Sequence, residues 1–163
     1  MKFIGKYRVI KRLGGGGFGE VFLAEDEFIH RKVAVKLFEP RDENVVAFAT
    51  SSTEEGLESL KSRFIHEAKI LASLEHEDAI INIIEFGELP SGEPWYAMPY
   101  IPHALSELCG KDVYDKRSLL ELTKDELPKA IPLKDATRYI RQILVGLATA
   151  HNSSLVHRDI KPA

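Results

Sequence analysis

Alternating apolar and polar residues at the start of the chain predict antiparallel β-strands. Residues 7–13 and 20–24 alternate with the two-residue period of a strand that buries one face. Residues 31–38 alternate as well and carry a lysine, Lys36, among apolar positions. A run of glycines separates the first two segments and supplies a turn between them. We therefore expect these two segments to pair as a hairpin and the third to extend the sheet.

Two later segments have the apolar period of an amphipathic helix. Residues 54–75 present an apolar stripe, and Glu67 falls on this stripe. The apolar members of the stripe are Leu57, Leu60, Phe64, Leu71 and Leu74. Residues 133–152 form the second predicted helix, which the polar residues 152–154 end. Its stripe consists of Ala136, Ile140, Ile143 and Leu147.

The remaining segments predict two more strands and two polar connections. Residues 80–88 and 94–101 are rich in β-branched and aromatic residues, and a Pro-Ser-Gly turn links them. Residues 40–52 have the composition of a surface loop. Residues 106–132 are charged and contain prolines, so we interpret them as an insertion that begins with a short helix. These elements together favour an α+β fold.

Composition places the chain among soluble globular proteins. Its 163 residues are 44% hydrophobic and 29% charged, which suits one domain with a core. A net charge of -3 argues against binding to nucleic acid or to an anionic membrane. Cys109 is the single cysteine, so an internal disulfide is excluded. No apolar stretch approaches the ~20 residues of a membrane span, and the first residues do not form a signal peptide, so we expect a cytoplasmic protein.

The glycine run fits the pattern G-x-G-x-x-G-x-V through Gly14, Gly16, Gly19 and Val21. Glycines let the backbone approach a phosphate closely with its N–H groups exposed. Dinucleotide-binding folds share this spacing but require a helix directly after the glycines, whereas strand-forming residues follow here. No Gly-Lys-Ser/Thr follows either, which excludes a loop of the Walker type. Taken alone, the run is explained equally well by a hairpin that binds no ligand.

Lys36 and Glu67 are charged residues in apolar surroundings. A charge in the middle of an apolar strand is costly unless it is paired. Glu67 lies in the apolar seam of the first predicted helix and is the candidate partner. We expect the two side chains to form an ion pair, because each then explains the other. The alternatives are a lysine that reaches water at a sheet edge and a glutamate at the margin of the stripe.

Residues 155–162 place Asp159 and Lys161 two positions apart, directly after the second predicted helix. A short loop in this position can aim side chains rather than bury them. By itself the segment is also explained by a polar turn that caps the helix. His151 and His157 have no third ligand nearby, so they make a poor metal site, and we predict no metal-binding residue.

These motifs resemble those of protein kinases, in the same order and over nearly the whole chain. The carrying features are the glycine run, Lys36, Glu67 and the sequence His-Arg-Asp-Ile-Lys-Pro at residues 157–162. The Ile-Lys-Pro continuation is similar to the serine/threonine branch. The resemblance implies ATP-dependent phosphorylation of Ser or Thr in a protein substrate.

The resemblance also implies a fold. A small lobe and hinge over residues 1–101 would contain a five-stranded antiparallel sheet and one helix. Residues 102–163 would begin a mainly helical large lobe, with the catalytic loop at residues 155–163. This is the protein-kinase type of α+β fold.

Residue roles follow from the same resemblance. Asp159 would accept the proton of the substrate hydroxyl, and Lys161 would neutralise the transferring phosphate. Lys36, held by Glu67, would bind the α- and β-phosphates of ATP. Met98 would be the gatekeeper, with adenine bonded to the hinge main chain. The residues implied for nucleotide binding are Leu13, Gly14, Gly15, Gly16, Gly17, Phe18, Gly19, Val21, Ala34, Lys36, Met98, Pro99, Tyr100 and Ile101.

The resemblance reaches the last residue, Ala163. The family's metal-binding asparagine and its Asp-Phe-Gly segment lie farther on, so Mg²⁺ is expected for the family while its protein ligands are absent from this chain. We therefore expect weak nucleotide binding and little turnover. The apolar stripe of the second helix predicts aggregation or a partner chain that covers it.

Two other classes of function remain open at the level of sequence. One is a non-catalytic, pseudokinase-like module that binds nucleotide or acts as a decoy by pairing with another chain. The other is a kinase of small molecules with a related fold. Enzymes of that class lack the Ile-Lys-Pro continuation after the catalytic aspartate, so the sequence favours it less.

Overall fold

A computed structural model gives the tertiary structure of the chain. It describes residues 2–16, 19–39, 54–74, 79–110, 120–156 and 160. The chain divides into two compact units. The first comprises Met1–His76 and Ile80–Tyr100, and the second comprises Glu77–Ala79 and Ile101–Ala163.

The first unit is built on an antiparallel sheet to which the described residues contribute six strands. The strands are β1 (Phe3–Ile4), β2 (Tyr7–Gly16), β3 (Gly19–Asp26), β4 (Arg31–Leu37), β5 (Glu85–Glu88) and β6 (Pro94–Pro99). Their order across the sheet is β1-β2-β3-β4-β6-β5, and every neighbouring pair is antiparallel. The predicted hairpin between β2 and β3 is confirmed. Strand β1 has two residues, too few to produce a recognisable alternation, and adds a sixth strand to the five that were expected.

The two faces of β4 lie in different surroundings. Val33, Val35 and Leu37 are buried on one face, as the sequence predicts. They form a core cluster with residues of the neighbouring strands and of the segment before β2, namely Ile4, Tyr7, Phe22, Ala24, Trp95 and Ala97. Ala34 and Lys36 alternate with these residues and therefore lie on the opposite face. The alternation thus separates the main core of the sheet from the candidate site.

Helix α1 (Glu54–Ser73) packs against the face that carries Lys36. Phe64 is 0% exposed, and its ring centroid lies 5.7 Å from that of Phe38 and 5.3 Å from that of Tyr96. Tilted and edge-on contacts of this kind are favoured between aromatic rings. Leu60 and Ala68 complete the second core cluster. This cluster joins α1 to β6 and so sets the position of the helix over the sheet.

The structure corrects the predicted stripe of α1 at two positions. Leu57 is 46% exposed, whereas Ala68, which the stripe omitted, is 3% exposed. The contact between helix and sheet begins at Leu60, and hydrophobicity alone did not show where along the helix it would begin. Ala68 follows Phe64 by one helical turn, and its small side chain lets the helix approach the sheet closely. The helix ends at Ser73, slightly before the predicted end.

The predicted strand over residues 80–88 is shorter in the structure, because only Glu85–Glu88 form β5. The Ile84 N–H donates to the Ala97 carbonyl oxygen at 2.8 Å, so the chain reaches the sheet just before β5. Ile83 packs on the cluster of α1, and Ile84 packs on the cluster of the other sheet face. This apolar run therefore reflects burial against two clusters rather than continuous strand pairing.

A buried phenol joins the start of β2 to β5. Tyr7 is 1% exposed and donates a hydrogen bond to Glu85 Oε2 at 2.8 Å. Lys6 Nζ lies 3.0 Å from the same oxygen. Burial, together with the bond to Glu85, raises the pKa of Tyr7 to about 12. The bond from Tyr7 lowers the pKa of Glu85, so this pair stays a neutral donor and a charged acceptor near neutral pH.

The second unit contains α2 (Ser106–Cys109) and α3 (Leu133–Asn152). Helix α3 has the predicted bounds, and α2 is the short helix expected at the start of residues 106–132. A Cβ at Gly146 of α3 would stand 3.1 Å from the Ala79 carbonyl oxygen, so glycine permits this close approach. Ile140 is 57% exposed and Leu144 is 58% exposed. Within the described ranges, no helix has the length and apolar character needed to cross a membrane.

Candidate active site

Lys36 and Glu67 form the predicted ion pair. Lys36 Nζ lies 2.7 Å from Glu67 Oε1 and 2.8 Å from Oε2, so one ammonium binds both carboxylate oxygens. The side chain of Lys36 is 19% exposed and that of Glu67 is 39% exposed. The pair is therefore shielded on the lysine side and reached by water on the glutamate side. Because the Lys36 ammonium is already largely removed from bulk water, it can bind an anionic ligand at little further cost of desolvation.

Aromatic rings surround the ammonium of Lys36. Its Nζ lies 5.6 Å from the ring centroid of Phe64 and 5.8 Å from that of Tyr96. Ring faces attract cations, and the contacts also limit the positions that the long lysine side chain can take. Phe64 comes from α1 and Tyr96 from β6, so the two elements that hold Glu67 also confine Lys36.

Tyr96 is a site residue that the sequence reasoning did not single out. Its hydroxyl donates to Glu67 Oε1 at 2.7 Å, and the residue is 1% exposed. Burial raises the pKa of the Tyr96 phenol strongly, and the neighbouring Glu67 carboxylate raises it further. Two signals were available in the sequence. Tyr96 is two positions from Met98 in the strand and therefore lies on the same face. In addition, a buried tyrosine hydroxyl requires a hydrogen-bond partner.

Strand register gathers the predicted nucleotide-binding residues on one face of the sheet. Directly opposed residues of antiparallel strands point to the same side. Val21 of β3, Lys36 of β4 and Tyr96 of β6 form one such row. Leu23, Ala34 and Met98 form the next row. The structure thus places Val21, Ala34, Lys36 and Met98 on one face of the sheet.

The glycine segment forms a strand-to-strand hairpin and does not lead into a helix. Gly14 opposes Val21, and Gly16 opposes Gly19. On the other face of the hairpin, Arg12 binds Glu20 through two bonds, one of which joins Nη2 to Oε1 at 3.0 Å. Paired bonds of a guanidinium to a carboxylate are strong and directional, so this pair ties the two strands together beside the glycines.

Two glycines of this hairpin have different neighbours. A Cβ added to Gly14 would have no heavy atom within 4 Å, so the structure leaves open space there. A Cβ added to Gly19 would collide with the Leu37 carbonyl oxygen. Packing therefore requires glycine at position 19 but not at position 14.

The remaining residues predicted for nucleotide binding and catalysis lie in the glycine hairpin, at the end of β6 and after it, or outside the described part of the chain. Leu13, which is 41% exposed, lies on β2, and Gly15 faces the side chains of Arg12 and Glu20. Pro99 ends β6 and Tyr100 is the last residue of the first unit, whereas Ile101 belongs to the second unit and is 63% exposed. Gly17, Phe18, Asp159 and Lys161 lie outside the described residues.

The described residues also define what the site can hold. Among them, no group of three or more His, Cys, Asp or Glu side chains is placed to bind a metal ion. The carboxylate of Glu67 already receives bonds from Lys36 and Tyr96. The residues of this part of the chain therefore do not fit a Mg²⁺ site. The groups here that suit an anionic ligand are the Lys36 ammonium and the glycine backbone.

Within the described residues, the first unit combines an antiparallel sheet, one long helix across it and an ion pair that joins strand and helix. The family described as "Protein kinase domain" matches residues 7–163. The chain belongs to the protein kinase domain family.

Several bacterial proteins are similar to this chain. Serine/threonine-protein kinase pkn2 of Myxococcus xanthus is 33% identical over 161 residues, which are 97% of this chain and 15% of that protein. Serine/threonine-protein kinase PrkC of Bacillus subtilis is 30% identical over 159 residues, which are 97% of this chain and 20% of that protein. The chain therefore spans only a small part of the length of these relatives.

Solved structures confirm the protein kinase fold. The kinase domain of PknI from Mycobacterium tuberculosis superposes with a TM-score of 0.61 at 23% sequence identity. The match covers 99% of this chain and 54% of that chain. At this level of identity the likeness shows the fold alone.

Proposed function

We propose that this chain is the nucleotide-binding part of a serine/threonine protein kinase, which binds ATP and transfers its γ-phosphate to Ser or Thr of a protein. The observation that carries the proposal is the Lys36–Glu67 pair, with both carboxylate oxygens within 2.8 Å of the ammonium. Protein kinases require such a strand-to-helix pair to hold the α- and β-phosphates. The names of the bacterial relatives support the choice of Ser and Thr.

The face of the sheet beside the pair suits the rest of the nucleotide. Ala34 and Met98 oppose each other across β4 and β6, and the resemblance assigns the small alanine to the side of the adenine base. Gly14 leaves its backbone accessible for phosphate oxygens. Adenine would bond to the Pro99 carbonyl oxygen and to the main chain of Ile101, as the resemblance implies.

The transfer step rests on Asp159 and Lys161. The substrate hydroxyl oxygen attacks the γ-phosphorus while the bond from that phosphorus to the bridging oxygen of ADP breaks. Asp159 takes the hydroxyl proton, and Lys161 balances charge on the phosphate in transit. Mg²⁺ neutralises phosphate charge in this family.

The 163 residues contain no Asp-Phe-Gly triplet, which holds Mg²⁺ in this family. We therefore propose that a polypeptide of this sequence alone binds nucleotide but transfers little phosphate.

Nucleotide binding and phosphate transfer are best tested separately. The chain is titrated with ATP, ADP and adenosine while its thermal unfolding is followed, and transfer of labelled γ-phosphate to a generic acceptor protein is then measured. We expect ATP and ADP to raise the unfolding temperature more than adenosine does, because Lys36 binds phosphates. A chain that pairs with another chain as a decoy need give no response to ATP. Transfer at the rate of an intact kinase would contradict the proposed low turnover.

The glycine hairpin offers a paired prediction. We expect Gly14→Ala to change the free energy of unfolding by no more than about 0.5 kcal/mol, because the methyl group enters open space. We expect the same substitution to weaken ATP binding several-fold, because the methyl group stands where phosphate oxygens approach. Urea unfolding and ATP titration check the two parts.

Gly19→Ala is the matched variant. Its methyl group would collide with the Leu37 carbonyl oxygen, so we expect a loss of about 2 kcal/mol in the free energy of unfolding. Equal stability losses in the two variants would contradict the difference in packing between the two glycines, and an unchanged affinity of Gly14→Ala for ATP would contradict the assignment of Gly14 to the ligand.

A further inference from the structure

The carboxylate of Glu67 is held from two directions. Its Oε1 accepts bonds from Lys36 Nζ and from the Tyr96 hydroxyl, each at 2.7 Å, and its Oε2 accepts a second bond from Lys36 at 2.8 Å. Glu67 comes from a helix, and both donors come from adjacent strands of the sheet. The bond from Tyr96 therefore restrains Glu67 even when Lys36 moves.

Strand register explains why the second donor lies beside the first. Lys36 of β4 and Tyr96 of β6 are directly opposed, so their side chains start side by side on one face. The ring of Tyr96 is also fixed by its contact with Phe64 at 5.3 Å between centroids. A buried, rotationally restricted phenol loses little further freedom when it binds a carboxylate.

The Tyr96 hydroxyl is a permanent donor. The residue is 1% exposed, and its pKa is raised by burial and by the Glu67 carboxylate. The phenol therefore keeps its proton wherever the protein is folded near neutral pH, and a hydroxyl facing a carboxylate must donate. The side chain of Glu67 is 39% exposed, so water also reaches this carboxylate.

We propose that Tyr96 is a positioning residue that fixes the Glu67 carboxylate, and through it the Lys36 ammonium, before nucleotide binds. The geometry of the three groups stands by itself, while the consequence for ATP rests on the proposed function. Lys36 alone would bind either a carboxylate or a phosphate. Because Tyr96 holds the carboxylate in place, Lys36 can donate some of its N–H bonds to phosphate while Glu67 keeps its position.

The test compares Tyr96→Phe with Tyr7→Phe. Both tyrosines are 1% exposed in the same sheet, and each donates one bond to a glutamate, at 2.7 Å and 2.8 Å respectively. Each variant removes one buried hydroxyl and keeps the ring. Tyr7 binds Glu85, which is not the partner of Lys36, so Tyr7→Phe controls for the general loss of such a bond.

Two measurements are made on the unmodified chain and on both variants. The first is the ¹H–¹⁵N signal of the Lys36 ammonium without nucleotide. The second is the ratio of the affinities for ATP and for adenosine, since adenosine lacks the phosphates that Lys36 would bind. We expect Tyr96→Phe to shift and broaden the Lys36 signal and to lower the ATP preference about fivefold. We expect Tyr7→Phe to leave both within the scatter of the unmodified chain.

The outcomes separate the inference from the proposed function. A Lys36 signal that is unchanged by Tyr96→Phe, or changed equally by Tyr7→Phe, overturns the inference. An unmodified chain that does not prefer ATP to adenosine contradicts the proposed binding of phosphates by Lys36, and the Lys36 signal still decides the role of Tyr96. The unmodified chain supplies a check that needs no variant. The Tyr96 hydroxyl proton is expected to be protected from exchange with water, and rapid exchange would count against the proposal.

Discussion

Lys36→Met is expected to lower the affinity for ATP by about 30-fold, because a charged hydrogen bond to phosphate is lost. Methionine keeps much of the length and apolar volume of the lysine stem and can fill the space between the rings of Phe64 and Tyr96. Titration of the variant with ATP, ADP and adenosine gives the result directly. Adenosine binding is expected to be unchanged, since the lost ammonium serves the phosphates.

The same substitution is expected to cost little stability. Glu67 loses its cation but keeps the bond from Tyr96, and at 39% exposure its carboxylate can also bind water. We therefore expect a loss of about 1 kcal/mol in the free energy of unfolding. Lys32→Met is the matched control, because Lys32 lies on the same strand but is exposed. A similar fall in ATP affinity in both variants would refute the assignment of the phosphates to Lys36.

Phe64→Ala is expected to lower the free energy of unfolding by about 3 to 5 kcal/mol. Phe64 is 0% exposed, and its ring contacts Phe38 and Tyr96, so alanine leaves a cavity at the centre of the cluster between α1 and the sheet. Urea unfolding followed by circular dichroism measures the change. Because the cluster also sets the position of Glu67, the variant is expected to weaken ATP binding even where it remains folded.

Leu57→Ala is the control for this prediction. Both positions belong to the apolar stripe seen in the sequence, but Leu57 is 46% exposed in the structure. Its truncation is expected to change the free energy of unfolding by no more than about 0.5 kcal/mol. Comparable losses at the two positions would mean that the contact between α1 and the sheet begins before Leu60, contrary to the packing described.

Local patterns in the sequence were sufficient to predict most strands of the sheet. Alternation identified β2, β3 and β4, and it assigned Val33 and Lys36 to opposite faces because side chains alternate strictly along a strand. The run at residues 80–84 was wrongly included in a strand. Its isoleucines are half-buried for packing, and burial in a coil produces the same apolar sequence as burial in a strand.

The Lys36–Glu67 pair was predictable because a charge in an apolar position is anomalous and demands a partner. Tyr96 gave a weaker signal, because packing explains the ring of a tyrosine in an apolar strand and only its hydroxyl requires a partner. Its bond to Glu67 depends on the register of β4 against β6, two segments that are far apart in the chain. Arg12 and Glu20 were missed for a similar reason, because both look like ordinary charged residues of a hairpin.

By itself, the amino-acid sequence determined the periods of its strands and helices and the position of the glycine hairpin. It also showed that Lys36 and Glu67 are charges in apolar positions that require a partner. These features depend on neighbours within a few residues, so local chemistry is sufficient to specify them. Only the tertiary structure decided where α1 first touches the sheet, which tyrosine reaches Glu67 and which glycine is required by packing. Those outcomes depend on contacts between distant segments, and a local pattern is compatible with several such arrangements.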